Sequence, residues 1–183
     1  MATPLGARLK PGETLGDRVI KVDHAGEHGA INIYLWQRTI SRWRAPELVP
    51  ELDEFLAHER NHRNLFKAEL ERRGRPRCRS YHLCGAGGAI LGLITGLIGP
   101  RAVHATTEAI ERVVLAHLVE QQAALSQSDM DAVKVIEAVI CDEQDHHDAA
   151  VSHLGDDRGW LDRVIDRVVE TSTELVIWFG MKL

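Results

Sequence analysis

The chain has 183 residues and a formal net charge of −5, with 44% hydrophobic and 27% charged residues. This length suffices for one domain with a substantial buried core. The acidic balance argues against a protein that binds nucleic acid, because such proteins normally present a basic face. We therefore expect no nucleic-acid partner.

The three cysteines are Cys78, Cys84 and Cys141, and they form no Cys-x-x-Cys motif. An odd number of cysteines cannot pair completely, which indicates a reducing compartment. The first twelve residues lack the apolar run of a secretory signal peptide. A transit peptide removed during maturation is compatible with this start.

Apolar residues recur at helical spacing along most of the chain, and no segment keeps the alternation of a β-strand. We therefore predict an all-α protein with a flexible N-terminus over residues 1–14 and one domain over residues 15–183. The six predicted helices cover about residues 15–41, 46–73, 83–99, 100–126, 129–155 and 160–182.

Local start and stop signals set these boundaries. Ala45-Pro46 ends the first helix, and Gly74-Arg75-Pro76 ends the second. Pro100 fits the first turn of the fourth helix, where its missing N–H is harmless. Ser128 or Asp129 is expected to cap the fifth helix.

The third helix is apolar, because residues 83–99 carry no formal charge over seventeen positions. A bilayer span needs about 20 residues, so we expect this helix to lie in, or dip into, one leaflet. Gly88, Gly92 and Gly96 share one face, which permits a close approach to another helix. The alternative is a buried core helix after a solvated basic loop. For the amphipathic last helix the same two alternatives apply, a position at a membrane or packing against the core.

One pattern occurs twice in the chain with the same internal spacing. Glu27 is followed 32 positions later by Glu59-x-x-His62, and Glu111 is followed 32 positions later by Glu143-x-x-His146. Matching positions in the two copies lie 84 residues apart. A matched repeat of this kind favours a shared function over ordinary charges on helix surfaces.

The spacing suits metal ligands. Within each Glu-x-x-His, the two side chains share one face of a helix. The 32-residue interval spans the rise along one helix and the return along its neighbour, so the single glutamate lies at the same depth in the bundle as its Glu-x-x-His motif. Four carboxylates and two imidazoles are the ligands of di-iron or di-manganese centres in ferritin-like four-helix bundles. We therefore predict such a bundle from the first, second, fourth and fifth helices, with the other two as additional apolar or amphipathic helices.

Some neighbouring residues allow other interpretations. His58 completes an H-E-x-x-H motif typical of zinc proteases, but the matching position in the second copy is Asp142. Glu108 lies one turn before Glu111, and only Glu111 keeps the repeat, which leaves Glu108 as an outer or exposed acid. Asp23 and Asp142 are each either hydrogen-bond acceptors for a ligating imidazole or solvated acids.

The residues that surround these ligands resemble the demethoxyubiquinone hydroxylase family. The closest match is Asp23-His24-Ala25-Gly26-Glu27, a specific signature, followed by Tyr34 and Gln37. The likeness extends from about Asp17 to Leu183. Its other matched segments are Glu59-x-x-His62, Arg75-Pro76, the apolar glycine-rich stretch, Ala109-Ile110-Glu111 and Asp142-Glu143-x-x-His146-His147-Asp148.

The resemblance implies a membrane-associated di-iron monooxygenase that uses O2 to hydroxylate 2-polyprenyl-3-methyl-6-methoxy-1,4-benzoquinol in ubiquinone biosynthesis. The iron ligands carried over from the family are Glu27, Glu59, His62, Glu111, Glu143 and His146. His117 matches a family histidine and is expected to act outside the ligand sphere. Leu118 replaces a common aromatic residue and Trp36 a glycine, so the pocket is expected to differ more than the metal site.

The predicted partners are the polyprenylated benzoquinol and a membrane surface. Partner proteins of ubiquinone biosynthesis and a homo-oligomer are compatible with this prediction. The expected location is the cytoplasmic face of a bacterial inner membrane or the matrix face of the mitochondrial inner membrane. Two other functions fit part of the pattern. A ferritin-like ferroxidase or oxidase would use the same metal ligands, and a non-enzymatic quinone or lipid carrier would use only the apolar helices.

Overall fold

The computed structural model describes residues 4–183, and every regular element in that range is helical. This architecture confirms the predicted all-α class with a ferritin-like bundle. Two short 3-10 turns, Pro4–Gly6 and Pro46–Leu48, accompany the six α-helices. These are α1 Leu15–Arg44, α2 Val49–Arg72, α3 Tyr81–Ile98, α4 Pro100–Leu125, α5 Met130–Leu154 and α6 Trp160–Lys182.

The predicted bounds are close to the observed ones. The second predicted helix is split, because a 3-10 turn precedes α2. The Asp129 side chain accepts a hydrogen bond from the Ala132 N–H at 3.1 Å, which makes it the cap of α5. Thr14 caps α1 through its bond from the Asp17 N–H.

Four helices form the bundle, and two lie outside it. α1 packs against α2, and α4 packs against α5, while α2 with α5 and α1 with α4 make slighter contacts that close the bundle. α3 lies along α1 and also touches α4, whereas α6 lies along α4 and also touches α1. The two outer helices therefore flank the seam between α1 and α4.

The glycine face of α3 packs directly on the α1 backbone, as the spacing predicted. A Cβ atom at Gly88 would overlap the carbonyl oxygen of Gly29, and one at Gly92 would overlap that of Ile33. Only glycine therefore allows the two backbones to come this close.

We expect Gly88→Ala to destabilise the protein by roughly 1–3 kcal/mol, because the added methyl group must push α3 off α1. Gly87 is the matched control, since a Cβ there meets nothing within 4 Å. Gly87→Ala should stabilise the helix by about 0.5–1 kcal/mol. Denaturant unfolding of both variants tests this prediction, and equal stabilities would contradict the observed packing.

The segment before α1 contacts the rest of the protein where the structure describes it. The Arg8 N–H donates to the Met181 carbonyl at 2.8 Å, and buried Glu13 pairs with Arg18 at 2.7 Å and with Lys21 at 2.6 Å. Of the predicted flexible segment, residues 1–3 lie outside the described range. The division at residue 15 stays a prediction.

Candidate metal centre

The six predicted ligands meet in the middle of the bundle. α1 supplies Glu27, α4 supplies Glu111, and each Glu-x-x-His motif lies on α2 or α5. All six side chains point inward, and their residues are between 0% and 7% exposed. Their burial is costly without charge compensation, because carboxylates lose their hydration there.

The six residues divide into two overlapping groups. Glu27 and His62 belong to one group, and Glu111 and His146 belong to the other, while Glu59 and Glu143 belong to both. In each group, one ligand atom from every residue lies within 4.8 Å of the others. This arrangement suits two metal ions that share two carboxylates.

Several of the inward-facing ligand atoms have no hydrogen-bond partner. Buried atoms of this kind include Nδ1 of both imidazoles, both carboxylate oxygens of Glu59 and Oε2 of Glu143. His62 Nδ1 lies 3.1 Å from Glu143 Oε1, and His146 Nδ1 lies 3.5 Å from Glu59 Oε1. Among residues 4–183, no lysine or arginine pairs with any of the four glutamates. The donor set therefore fits two transition-metal cations.

The outward nitrogen of each imidazole has a partner from the opposite motif. His62 Nε2 lies 2.9 Å from Asp142 Oδ2, and His146 Nε2 lies 3.0 Å from His58 Nδ1. Asp142 thus accepts a hydrogen bond from His62, which leaves His62 Nδ1 free as a ligand atom. His58 does not complete a zinc-protease helix; it is the counterpart of Asp142 in the 84-residue repeat.

Aromatic side chains from α1 and α2 pack against the centre. The Tyr34 hydroxyl donates to Glu111 Oε1 at 2.5 Å and thereby fixes that carboxylate. The Phe55 ring lies 4.2 Å from the His146 ring, centroid to centroid. Tyr34 and Phe55 are both buried, so they limit the access of water to the carboxylates.

Burial and the closeness of the four carboxylates shift the pKa values of the ligand side chains. Burial raises the pKa of Glu27 and Glu111 well above the usual range, and the neighbouring Glu59 and Glu143 charges raise it further. Burial alone would lower the pKa of His62 and His146, but Glu143 and Glu59 raise these values to about 9 and about 11. Protons therefore compete with cations for the centre, so metal uptake should release protons and strengthen as the pH rises.

Three residues considered from the sequence lie outside the centre. Glu108 pairs with Arg158 at 3.2 Å near the surface, as expected of an outer acid. Asp23 accepts from Gln121 Nε2 at 2.9 Å rather than from an imidazole, so the suggested contact with a ligand is wrong for this residue. His117 lies 3.0 Å from Glu174 and in neither ligand group, and its role stays a prediction.

Comparisons with known proteins show what the chain is similar to. The family described as ubiquinone biosynthesis protein COQ7 matches residues 14–180. The chain is 37% identical to the mitochondrial 5-demethoxyubiquinone hydroxylase of Saccharomyces cerevisiae over 75% of this chain and 65% of that relative. It is 31% identical to the 3-demethoxyubiquinol 3-hydroxylase of Rhodospirillum rubrum over 91% of this chain and 78% of that one.

A human relative is also similar. It is named NADPH-dependent 3-demethoxyubiquinone 3-hydroxylase, mitochondrial, and is 30% identical over 75% of this chain and 64% of its own length. The chain therefore spans slightly less than two thirds of the yeast and human relatives. These similarities confirm the family that the sequence resembled.

Proposed function

Because the chain belongs to the ubiquinone biosynthesis protein COQ7 family, we propose that it is a di-iron monooxygenase acting on a demethoxyubiquinol. The substrate is 2-polyprenyl-3-methyl-6-methoxy-1,4-benzoquinol, and the names of the yeast and R. rubrum relatives support this assignment. The observation that carries the proposal is the pair of buried ligand groups that share Glu59 and Glu143.

The reaction inserts one oxygen atom of O2 into a ring C–H bond and reduces the other to water. It consumes two electrons and two protons besides the substrate, and the name of the human relative supports NADPH as the electron source. Bound iron would supply the redox chemistry that activates O2. Hard carboxylate ligands favour the higher oxidation state of such a metal.

The protein's own groups hold that chemistry in place. The four glutamates would neutralise the cations, while Asp142 and His58 orient the two imidazoles with Nδ1 inward. Tyr34 keeps Glu111 Oε1 occupied by a hydrogen bond and restricts how that carboxylate can turn. Buried Tyr34 and Phe55 limit the access of water to the centre, which would protect reactive states from side reactions.

A lipid-soluble substrate needs an apolar entrance, and the seam between α1 and α4 is the best candidate. α3 and α6 flank this seam on its two sides. α3 is long and apolar enough to cross a membrane, yet only 33% of it is buried. Its outer face exposes Leu83, Ile90, Ile94, Leu97 and Ile98, and α6 exposes Trp160, Val164, Val168, Leu175, Trp178 and Phe179.

These faces support attachment to one leaflet of a membrane rather than burial in a core. The glycine face of α3 is against α1, so its apolar outer face is left for lipid or quinol. The arginines before α3 are less available to lipid headgroups than their number suggests. Arg72, Arg73 and Arg75 already pair with acidic side chains, which leaves Arg77 and Arg79 as candidates for lipid headgroups.

The relatives from yeast and human are named as mitochondrial proteins, whereas R. rubrum supplies a bacterial one. We propose that this protein too is peripheral, on the matrix or cytoplasmic face of an inner membrane. Partner proteins and a homo-oligomer remain parts of the proposal. The domain over residues 15–183 would carry the whole activity.

A single-turnover experiment separates this function from its alternatives. The iron-loaded protein is reduced without oxygen, mixed with the demethoxyubiquinol, and exposed to oxygen-18 gas. We expect a product heavier by one labelled oxygen atom, because the oxygen inserted into the ring comes from O2. The Glu143→Gln variant, which alters a shared ligand, serves as the inactive control.

Three results would contradict the hydroxylase. Rapid oxidation of iron with no quinol product would indicate a ferroxidase, which would use the same carboxylates. Stoichiometric quinol binding with no turnover and no bound iron would indicate a carrier. Label that enters the product from water rather than from the gas would also exclude O2 as the source.

A further inference from the structure

A second group of metal-ligand residues lies at one end of the bundle. Glu51 on α2, His104 on α4 and His153 on α5 each offer one ligand atom within 4.8 Å of the others. His153 Nε2 lies 3.4 Å from Glu51 Oε1, and His104 Nδ1 lies 4.0 Å from Glu51 Oε2. The two imidazole rings stack with their centroids 4.1 Å apart.

This group shares no residue with the buried centre. Glu51 precedes Glu59 by eight positions, and His153 follows His146 by seven. In both cases about two helical turns, or about 10–12 Å along the bundle, separate this group from the buried ligand on the same helix. The group borders an open cavity of about 670 Å³, which is also lined by Glu47. A solute can therefore reach it without passing through the core.

The chemistry of the group favours a cation. Two imidazoles and one carboxylate are the protein ligands of many zinc sites and of non-haem iron(II) sites, which keep other positions open. Burial, helped by His153, lowers the pKa of His104 to about 4, so its imidazole is neutral and available near pH 7. Arg101 also borders the cavity, but its guanidinium is held by Asp162 at 2.7 Å.

The charge of Glu51 has no cationic side chain to balance it. Within residues 4–183, its only ion-pair partners are His104 and His153. The Glu51 side chain is only 22% exposed, and this partial burial raises its pKa. A metal ion bound between the three side chains would balance this charge, whereas a polar contact with two neutral imidazole rings would not.

We propose that Glu51, His104 and His153 bind one divalent transition-metal ion, such as Zn²⁺ or Fe²⁺, in exchange with solvent. These three side chains would each supply one ligand, and water or the nearby Glu47 would fill the remaining positions. The site would hold a metal outside the buried centre, on the same bundle. It needs none of the buried ligands, so it would exist whether or not the buried centre hydroxylates a quinol.

The test is a zinc titration of the iron-loaded protein by calorimetry, with the iron content measured before and after. We expect one further equivalent of Zn²⁺ to bind without release of iron. His104→Ala and His153→Ala should each weaken this binding by more than about tenfold, since even residues that only orient a ligand cost roughly 10–100-fold. Iron content should stay at the wild-type level in both variants.

His82→Ala is the matched control, because exposed His82 contacts Arg77 rather than a carboxylate. This variant should bind zinc as the wild type does. No further equivalent in the wild type, or unchanged zinc binding in both His104→Ala and His153→Ala, would overturn the site. Loss of one iron for each zinc bound would show that zinc enters the buried centre, which would overturn it equally.

Discussion

Replacing Glu143 with glutamine is expected to remove both metal ions from the buried centre, whereas Glu111→Gln should remove only one. Glu143 belongs to both ligand groups, and Glu111 belongs to one. An amide is a much poorer ligand than a carboxylate and carries no charge to balance the cations. We expect a fall in metal affinity of more than about 100-fold for Glu143→Gln, since residues that merely orient a ligand cost roughly 10–100-fold.

Iron analysis of the purified variants, with thermal unfolding as a check on folding, measures this effect. Glu108→Gln is the matched control, because Glu108 lies one turn before Glu111 but pairs with Arg158 near the surface. The control should keep its iron. The ligand assignment would be refuted if Glu143→Gln kept two irons and full turnover. It would also be refuted if Glu108→Gln lost iron while Glu143→Gln kept it.

Placing aspartate at Ile90, Ile94 and Leu97 together is expected to release the protein from membranes and to abolish quinol turnover. All three residues are exposed on the outer face of α3, so the charges need not enter the core. Charges on a lipid-facing surface oppose insertion by a few kcal/mol each. The variant should keep its helical content and iron but appear in the soluble fraction.

The matched control places aspartate at three exposed apolar residues outside α3 and α6, namely Trp43, Met130 and Val151. Vesicle flotation of both triple variants compares equal changes in charge on different surfaces. The control should float with the vesicles and turn over quinol. If the α3 variant unfolds, or if it floats as the wild type does, the outer face of α3 does not contact lipid.

The doubled spacing predicted much of the centre. Because Glu27 and Glu111 keep one distance to their Glu-x-x-His motifs, the sequence indicated which carboxylates meet and at what depth. Local signals also placed the helix ends well, as the capping bond of Asp129 shows. Both features depend on residues close together in the chain or on helix length, which a sequence contains directly.

Contacts between helices were harder to predict, because they depend on how each helix is rotated about its axis. Nothing in the spacing indicates that Glu59 and Glu143 belong to both ligand groups. The partnership of His58 with His146 was missed, although His58 matches Asp142 in the 84-residue repeat. The match between His58 and Asp142 counted only against a zinc-protease helix, although an acceptor role expected of Asp142 also indicates a contact between His58 and the other imidazole.

The group formed by Glu51, His104 and His153 gave no sequence signal at all. Its members lie on three helices, Glu51 and His104 are 53 positions apart, His104 and His153 are 49 positions apart, and no spacing repeats. Only the packing of α2, α4 and α5 brings them within reach of one ion. A sequence pattern can reveal a duplicated site more readily than one that occurs once.

The most direct test of the central claim is the iron content of the purified protein combined with its Mössbauer spectrum. Two groups that share Glu59 and Glu143 would hold two irons per chain close enough to couple magnetically. We predict two irons per chain and, in the oxidised protein, a coupled pair with a diamagnetic ground state. A single paramagnetic iron per chain, or no bound iron after reconstitution, would contradict the di-iron centre.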